Sequence, residues 1–311
     1  MKKTSKTILF FGTDDFSAAS LRELIEKGFT IGAVITKPDT RKGRGRTLHA
    51  PIVKQIAQKH NIPVWQPEKL ADIVPKIETL TKKDGQKPVG VLVSYGKLIP
   101  ERIINLFEPG IINVHPSLLP LYRGPSPIES VILNGEMETG ITIMQLSVAM
   151  DAGPIYSQLT LPLNDTETAP ELEQKCSTLG AQELTRVLPS IISGALQPSK
   201  QEEAVATYCH LLKKGDAPLT AEQLKTLSAE QAERRIRAYF AFPKTKMTLC
   251  GHTVIVTKAH VVSHAKTALD VACGDGRFLS VDELIGPSGR HMSAQSFLNG
   301  YSKEKTTPQT T

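Results

Sequence analysis

Residues Ile111–Gly124 read IINVHPSLLPLYRG, and a second short segment, Asp151–Gly153, reads DAG. The first five residues of the longer segment have the apolar character of a buried strand. Side chains of a strand alternate between its two faces, so Asn113 and His115 point the same way and Val114 points the other way. A carboxamide and an imidazole at the end of a strand can hold a developing oxyanion and move a proton. The pattern therefore predicts one edge of an active site.

Apolar runs bounded by turn residues alternate with helical patterns on both sides of this segment. The other predicted strands are Ile8–Phe11, Phe29–Thr36, Val89–Ser94, Glu138–Gln145 and Ile155–Leu161. The predicted helices are Ser17–Lys27, Pro51–His60, Glu101–Leu106 and Ala169–Leu188. This order predicts an α/β fold with a Rossmann-like, mostly parallel sheet. Ligands of such sheets bind beyond the carboxyl ends of the strands, where Gly12, Thr36, Ser94 and His115 lie.

The first strand is followed by a turn that does not suit a nucleotide. Gly12–Phe16 reads GTDDF, which is not the G-x-G-x-x-G pattern, and its two carboxylates would repel a pyrophosphate. The chain also lacks a G-x-x-x-x-G-K-[ST] motif. Its four cysteines are far apart and form no C-x-x-C pair. We therefore expect no nucleotide cofactor, no metal and no disulfide framework, and a reducing, cytoplasmic location.

The C-terminal part has a different pattern. Ser193–Gly215 has little helical or strand period and is interpreted as a linker. It is followed by a helical patch near Ala221–Arg237 and by four short predicted strands: Met247–Leu249, Thr253–Thr257, Leu269–Ala272 and Arg277–Ser280. Short strands separated by turns predict a small β-barrel. We predict a catalytic domain over residues 1–194, a linker over 195–213, a second domain over 214–302 and a disordered tail over 303–311.

The charge of the chain suggests an acidic partner. The 311 residues carry a formal net charge of +6. Basic and acidic residues nearly balance over residues 1–212, whereas basic residues exceed acidic ones over 213–311. Lys37–Arg46 alone holds five basic residues and one acidic residue, with Gly43 and Gly45 between them. This distribution is typical of nucleic-acid binding, although either feature alone would also fit a solvated surface. No segment approaches the length of a membrane span.

The pattern N-x-H-x-S-L-L-P with a downstream D-x-G resembles the signature of folate-dependent formyltransferases. Further blocks match the branch of that family that acts on aminoacylated tRNA: Phe11–Phe16, Lys37–Gly45, Val93–Gly96, Leu98–Pro100, Glu138–Gln145 and Met292–Gln295. The similarity runs from about Ile8 to Tyr301 and is looser in the C-terminal third. Pro116 departs from the pattern, because the tRNA-acting members usually have glycine there. Proline offers no backbone N–H to an oxyanion.

The resemblance implies transfer of the formyl group of 10-formyltetrahydrofolate to the α-amine of methionyl initiator tRNA, catalysed by Asn113, His115 and Asp151. It also implies an oligonucleotide-binding-like barrel at the C-terminus and a monomer. The implied folate-binding residues are Ser117, Leu118, Leu119, Pro120, Ser94, Tyr95 and Gly96. The implied tRNA-binding residues are Arg41, Lys42, Arg44 and Arg46. A second basic surface is implied at Arg234, Arg235, Arg237, Lys244 and Lys246.

Several alternatives stay open at this point. The acceptor could be a small amine such as glycinamide ribonucleotide or an amino sugar, or the protein could bind tRNA without catalysis. Asp151 could only cap a turn, the leucines could be core, and Arg123 could meet a phosphate or cap its loop. The aromatic residues Tyr239, Phe240 and Phe242 are expected in the barrel core.

Overall fold

The computed structural model describes residues 6–42 and 47–301. The predicted tail, 303–311, lies outside the described residues. The chain forms two compact units. The first comprises Met1–Gly124, Glu138–Pro162 and Glu173–Cys209, and the second comprises Pro125–Met137, Leu163–Leu172 and His210–Thr311. Two short pieces from the middle of the chain therefore belong to the C-terminal unit.

A seven-stranded sheet forms the centre of the first unit. Its strands are β1 (Ile8–Phe11), β2 (Ile31–Ile35), β5 (Val64–Trp65), β6 (Val89–Leu92), β7 (Ile111–His115), β8 (Glu138–Gln145) and β9 (Ile155–Pro162). The remaining two strands of this unit, β3 (Thr40–Lys42) and β4 (Thr47–His49), form a separate hairpin. The order in the sheet is β5-β2-β1-β6-β7-β8-β9. The strands are parallel from β5 to β7, and β8 and β9 are antiparallel. The prediction of a mostly parallel, Rossmann-like sheet is confirmed.

The helices that accompany the sheet bury both of its faces. They are α1 (Asp15–Glu26), α2 (Ile52–Lys59), α3 (Val74–Asp84), α4 (Glu101–Ile104) and α6 (Ala169–Ile192). Leu9 and Phe11 of β1 pack with Ile77 of α3, while Ile8 and Phe10, which alternate with them, are also fully buried. Because strands buried on both faces show continuous apolar runs, β1 was readable from sequence.

Part of the basic segment Lys37–Arg46, residues Thr40–Lys42, forms strand β3. Strands β3 and β4 pair antiparallel on either side of residues 43–46. The base of the hairpin is fixed by Lys54 Nζ, which lies 2.8 Å from Asp39 Oδ2 and 2.9 Å from Gln66 Oε1. Gln66 in turn donates to the Lys37 carbonyl at 2.8 Å. Arg44, Arg46 and the side chain of Lys42 lie outside the described residues.

The segment interpreted as a linker is bound to the first unit as far as Cys209. Ser199 pairs with Ile155 of β9, and Tyr208 pairs with Arg123, each through an isolated bridge. A 3₁₀ turn at Glu203–Val205 lies between these two points. Two isolated bridges and a single 3₁₀ turn leave no period in the sequence, and therefore this attachment was not predictable from the hydrophobic pattern.

The second unit contains an antiparallel sheet of five strands. They are β10 (Lys246–Leu249), β11 (His252–Val262), β12 (Asp270–Ala272), β13 (Phe278–Ile285) and β14 (His291–Ser293). The order is β10-β11-β13-β12, and β14 also pairs with β13. The helices of this unit are α5 (Pro127–Asn134), α7 (Ala221–Leu224), α8 (Ala229–Ala238) and α9 (Ala294–Tyr301). Its core joins Ile236 of α8 and Phe297 of α9 to Val256 and Leu284 of the sheet.

One sequence prediction for this unit was confirmed in outline, and another was wrong for two of its three residues. The helical patch near Ala221–Arg237 is two helices, because Ser228 and Gln231 form a reciprocal capping box that starts α8. Tyr239 is buried as expected, but Phe240 and Phe242 are 40% and 45% exposed. They follow the end of α8 at Ala238, so the buried face of that helix does not extend to them.

None of the helices within residues 6–42 and 47–301 combines the length and the apolar character needed to cross a bilayer.

Candidate active site

The carboxyl end of β7 brings two polar side chains into the interior. Asn113 and His115 are each 5% exposed, and both lie on the strand where the parallel part of the sheet meets the antiparallel part. Among the described residues, none provides a hydrogen-bond partner for the carboxamide of Asn113. A carboxamide without a partner at the end of a strand is a candidate hydrogen-bond donor to a ligand.

His115 has a distinct neighbour at each ring nitrogen. Nε2 lies 3.0 Å from the carbonyl oxygen of Tyr122. Since a carbonyl only accepts, Nε2 carries a hydrogen and donates it. Nδ1 lies 3.8 Å from Oδ2 of Asp151. With Nε2–H bound to the Tyr122 carbonyl, Nδ1 is the ring nitrogen that faces the Asp151 carboxylate.

Asp151 reaches this position through an unusual backbone. Its φ is +49°, in the left-handed region, and Oδ2 accepts a hydrogen bond from the N–H of Gly124 at 2.9 Å. The carboxylate therefore ties two separate loops together and does more than cap its own turn. A Cβ on Gly153 would overlap the carbonyl oxygen of Gln145, which explains the glycine two residues later.

The loop after His115 is held by the antiparallel strands. Thr142 Oγ1 donates to the Ser117 carbonyl at 2.7 Å and accepts from the Leu119 N–H at 3.2 Å. Ser117 and Leu119 are buried, whereas Leu118 and Pro120 are partly exposed. Of the four residues that the sequence assigned to folate binding here, Leu118 and Pro120 offer side-chain surface to a ligand.

The second predicted folate-binding segment, residues 94–96, also contains both exposed and buried residues. Ser94 and Gly96 are exposed, and Ser94 donates to the carboxylate of Asp14. The Tyr95 ring is 1% exposed and packs edge-on against Phe11, with ring centroids 5.5 Å apart. Burial raises the pKa of Tyr95 to about 12. The ring of Tyr95 is therefore a core element, and only its neighbours present surface.

Arg123 is not available to bind a phosphate, although phosphate binding was one of the two interpretations of this residue from the sequence. Its side chain is fully buried, and its guanidinium is bound on every side by residues of the segment after α6. Glu203 accepts from Nη1 and Nη2 at 2.9 Å each, Gln201 accepts from Nε and Nη2, and Tyr208 accepts at 2.8 Å. Sequence reasoning missed these partners because they lie about 80 residues away.

The basic residues predicted to bind tRNA differ in their exposure. Arg41 is exposed on β3, and Lys244 and Lys246 are exposed in the second unit. Arg237 is 8% exposed and is occupied by Asp165 at 2.7 Å and by Glu233 at 2.8 Å. The expectation that Arg237 contacts a ligand was wrong, because its guanidinium is already held in ion pairs with Asp165 and Glu233.

Its neighbours on α8 are also occupied. Arg234 pairs with the same carboxylate, Asp165, at 2.8 Å. Arg235 donates to the carbonyl oxygens of Asp216 and Pro218 at 2.6 Å each.

No group of three His, Cys, Asp or Glu side chains in the described part of the chain is arranged to hold a metal ion.

A family model described as formyl transferase matches residues 6–188, and a model of the formyl transferase C-terminal domain matches residues 225–302. The chain belongs to the formyl transferase family. It is therefore a formyl-transferring enzyme by descent, and the polar edge of β7 lies within the matched N-terminal part.

Curated relatives in this family cover nearly the whole chain. The methionyl-tRNA formyltransferase of Geobacter metallireducens is 35% identical over 306 residues, 94% of this chain and 95% of the relative. That of Halalkalibacterium halodurans is 38% identical over 309 residues, 94% of each chain. That of Janthinobacterium is 36% identical over 316 residues, 96% of this chain and 98% of the relative.

Solved structures confirm the fold of the formyl transferase family at low identity. An N-formyltransferase from Helicobacter canadensis, solved with folinic acid and dTDP-3-aminofucose, aligns with a TM-score of 0.65 at 17% identity over 89% of this chain and 98% of its own. HypX from Aquifex aeolicus, in complex with tetrahydrofolic acid, aligns with a TM-score of 0.63 at 13% identity over 96% of this chain and 48% of its own.

Proposed function

We propose that this protein transfers the formyl group of 10-formyltetrahydrofolate to the α-amine of methionyl initiator tRNA. The observation that carries the proposal is the approach of Asn113, His115 and Asp151 at one strand end, in a chain whose full-length relatives bear that enzyme name. Each of the three has a separate chemical task in acyl transfer.

The reaction begins when the amine of methionine attacks the formyl carbon. The new N–C bond gives a tetrahedral intermediate, and Asn113 donates hydrogen bonds to its oxyanion. The attacking nitrogen must lose a proton, and N10 of the folate must gain one as the C–N10 bond breaks. His115 passes this proton through Nδ1, and the Asp151 carboxylate stabilises the imidazolium that forms in between. No covalent enzyme intermediate is required, because the amine is itself the nucleophile.

The folate is assigned to the exposed residues of two adjoining segments. Leu118 and Pro120 supply an apolar surface after β7, and Ser94 and Gly96 supply an exposed hydroxyl and exposed backbone after β6. The folate compounds named with the related solved structures support a donor of this class. Ser117, Leu119 and Tyr95 support this surface from behind, since their side chains are buried.

We assign tRNA binding to the basic segment Lys37–Arg46 and to the second unit. Arg41, Lys42, Arg44 and Arg46 provide the first contact, and the exposed Lys244 and Lys246 provide the second. In this proposal residues 1–194, apart from the two pieces that belong to the second unit, form the catalytic domain, and residues 214–302 form an OB-like tRNA-binding domain. Residues 195–213 connect the two domains and are bound to the first unit as far as Cys209. The protein acts as a monomer in the cytoplasm and needs no metal.

The proposal is tested by Asn113→Ala and His115→Ala in an assay that follows label from 10-formyltetrahydrofolate to methionyl initiator tRNA. We expect each variant to lower the rate by about 10²-fold or more, because each removes stabilisation at the reacting atoms. The control is His60→Ala, at the exposed end of α2. Near-normal rates for folded Asn113→Ala or His115→Ala would contradict the assignment.

A further inference from the structure

The segment after α6 crosses both loops that carry the candidate catalytic residues. We define the histidine loop as residues 116–124, the aspartate loop as 149–153 and the crossing segment as 199–209. The crossing segment is anchored at one end by the Ser199 and Ile155 bridge and at the other by the Tyr208 and Arg123 bridge. All three segments belong to the first unit.

Gln201 joins the two loops through a single carboxamide. Its Nε2 donates to the carbonyl oxygens of Asp151 and Gly153, both at 2.7 Å. Its Oε1 accepts from Nε and Nη2 of Arg123, at 3.0 and 2.9 Å. The amide N–H groups of Gln201 thus bind the aspartate loop, and its amide oxygen binds Arg123 of the histidine loop. Only an amide of this length can satisfy all four bonds at once.

Thr207 fixes the residue to which the imidazole is bound. Its Oγ1 accepts from the N–H of Tyr122 at 2.8 Å, and its own N–H donates to the Pro120 carbonyl at 3.1 Å. Tyr122 has a φ of +58° and uses its carbonyl to accept from Nε2 of His115. The orientation of the imidazole therefore depends on a hydrogen bond from outside the histidine loop.

The backbone of both loops needs such support. Asp151 and Tyr122 adopt left-handed conformations without being glycine. Such conformations persist only where the surrounding structure imposes them, and they concentrate at functional sites. Gln201 binds one of these two residues directly and Thr207 binds the other.

We propose that Gln201 and Thr207 are positioning residues of the formyl transfer reaction, which hold Asp151 and His115 at the separation that proton transfer requires. They touch neither substrate nor reacting atoms. The inference rests on the proposed function for its assay. It adds that a segment outside the sheet controls the catalytic rate by fixing the geometry between the two loops.

The first test is Gln201→Met, which keeps the length of the side chain and removes all four hydrogen bonds. Its matched control is Gln197→Met, whose Nε2 donates at 2.7 Å only to Gly194 in its own turn. We expect Gln201→Met to lower the single-turnover rate by about 10- to 100-fold, because displaced catalytic groups reduce the rate steeply. The KM values for tRNA and folate should stay within about twofold, since the residues assigned to binding either substrate are unchanged.

The second test separates positioning from stability. Thr207→Val removes the hydroxyl at constant shape, and Thr207→Ser keeps it. We expect the valine variant to lose about 10-fold in single-turnover rate and the serine variant to retain the wild-type rate. This pair decides the question if Gln201→Met does not fold.

Two results would overturn the inference: wild-type single-turnover rates in both folded Gln201→Met and Thr207→Val, or equal loss in the serine and valine variants. A fall in Tm without a fall in rate would reduce the segment to a purely structural role. A wild-type protein that transfers no formyl group would instead refute the proposed function, so the two failures are distinguishable.

Discussion

At the scale of single residues, the separation of His115 and Asp151 defines what the site can do. The Nδ1 to Oδ2 distance of 3.8 Å is longer than a direct hydrogen bond, so the carboxylate lies beside the ring without being hydrogen-bonded to it. Asp151 is also bound to Gly124, so its charge stays fixed relative to the histidine loop. Its charge and its structural bond can therefore be tested separately.

The variant Asp151→Asn separates these two contributions. Asparagine tolerates the left-handed backbone and can still accept from Gly124 through its amide oxygen. We expect the fold to persist and the rate of formyl transfer to fall by about 10²-fold or more, because the imidazolium loses its partner. Asp15→Asn, an exposed change at the start of α1, serves as the control. A wild-type rate in folded Asp151→Asn would mean that its charge is not used.

Sequence reasoning succeeded at this scale where regular structure applied. The shared face of Asn113 and His115 follows from strand alternation alone. The approach of Asp151 was available only by resemblance, since no local period links it to β7. The buried ring of Tyr95 was not predictable, because β6 ends at Leu92 and Ser94 has a φ of +45°, so alternation no longer determines the direction of the side chain.

At the scale of elements, the second unit contains a network of ion pairs on α8. The sequence had suggested that the arginines of this network form a binding surface. Asp165 lies between Arg234 and Arg237 of α8. Burial raises the pKa of Asp165, but the hydrogen bonds from the two guanidinium groups outweigh it and hold the pKa below its usual value. Because the pKa of Asp165 is lowered, its ion pairs with Arg234 and Arg237 stabilise the fold when Asp165 is charged.

The variant Asp165→Asn should lower the free energy of unfolding by about 1–3 kcal/mol at neutral pH. Asparagine suits the φ of +52° at this position, so the loss reports the charge and not the backbone. The difference from wild type should be complete above the usual pKa of 3.8 and should shrink as pH falls below it, because both proteins then lack the charge. Denaturation at several pH values measures it, and a difference that does not change with pH would contradict this account.

The elements themselves were predicted unevenly, for a physical reason. Strands β1, β7 and β8 were placed at their observed bounds, because each contains buried apolar residues and ends at a turn. The pairing of β3 with β4 was missed, since these strands have only three residues each and form no buried apolar run. The crossing segment was interpreted as part of a linker, because side-chain hydrogen bonds to distant loops leave no period in the sequence.

At the scale of the whole molecule, the excess of positive charge should appear in the salt dependence of tRNA binding. Neutralising Arg41, Lys42, Arg44 and Arg46 together as glutamine should weaken binding. It should also reduce the slope of log affinity against log salt by roughly one for each phosphate that the variant no longer neutralises.

The matched control removes the same charge from four exposed lysines elsewhere, Lys59, Lys69, Lys82 and Lys83. We expect this control to keep the wild-type slope. Equal slopes for wild type and the variant of Lys37–Arg46 would remove this basic segment from the interface.

The central claim concerns the acceptor, and it is tested most directly by offering several acceptors to the purified protein with labelled 10-formyltetrahydrofolate. These are methionyl initiator tRNA, the same tRNA uncharged, glycinamide ribonucleotide and an amino sugar nucleotide. The account predicts label on the charged tRNA alone. Label on a small amine and not on tRNA would contradict it, and so would tRNA binding with no label on any acceptor.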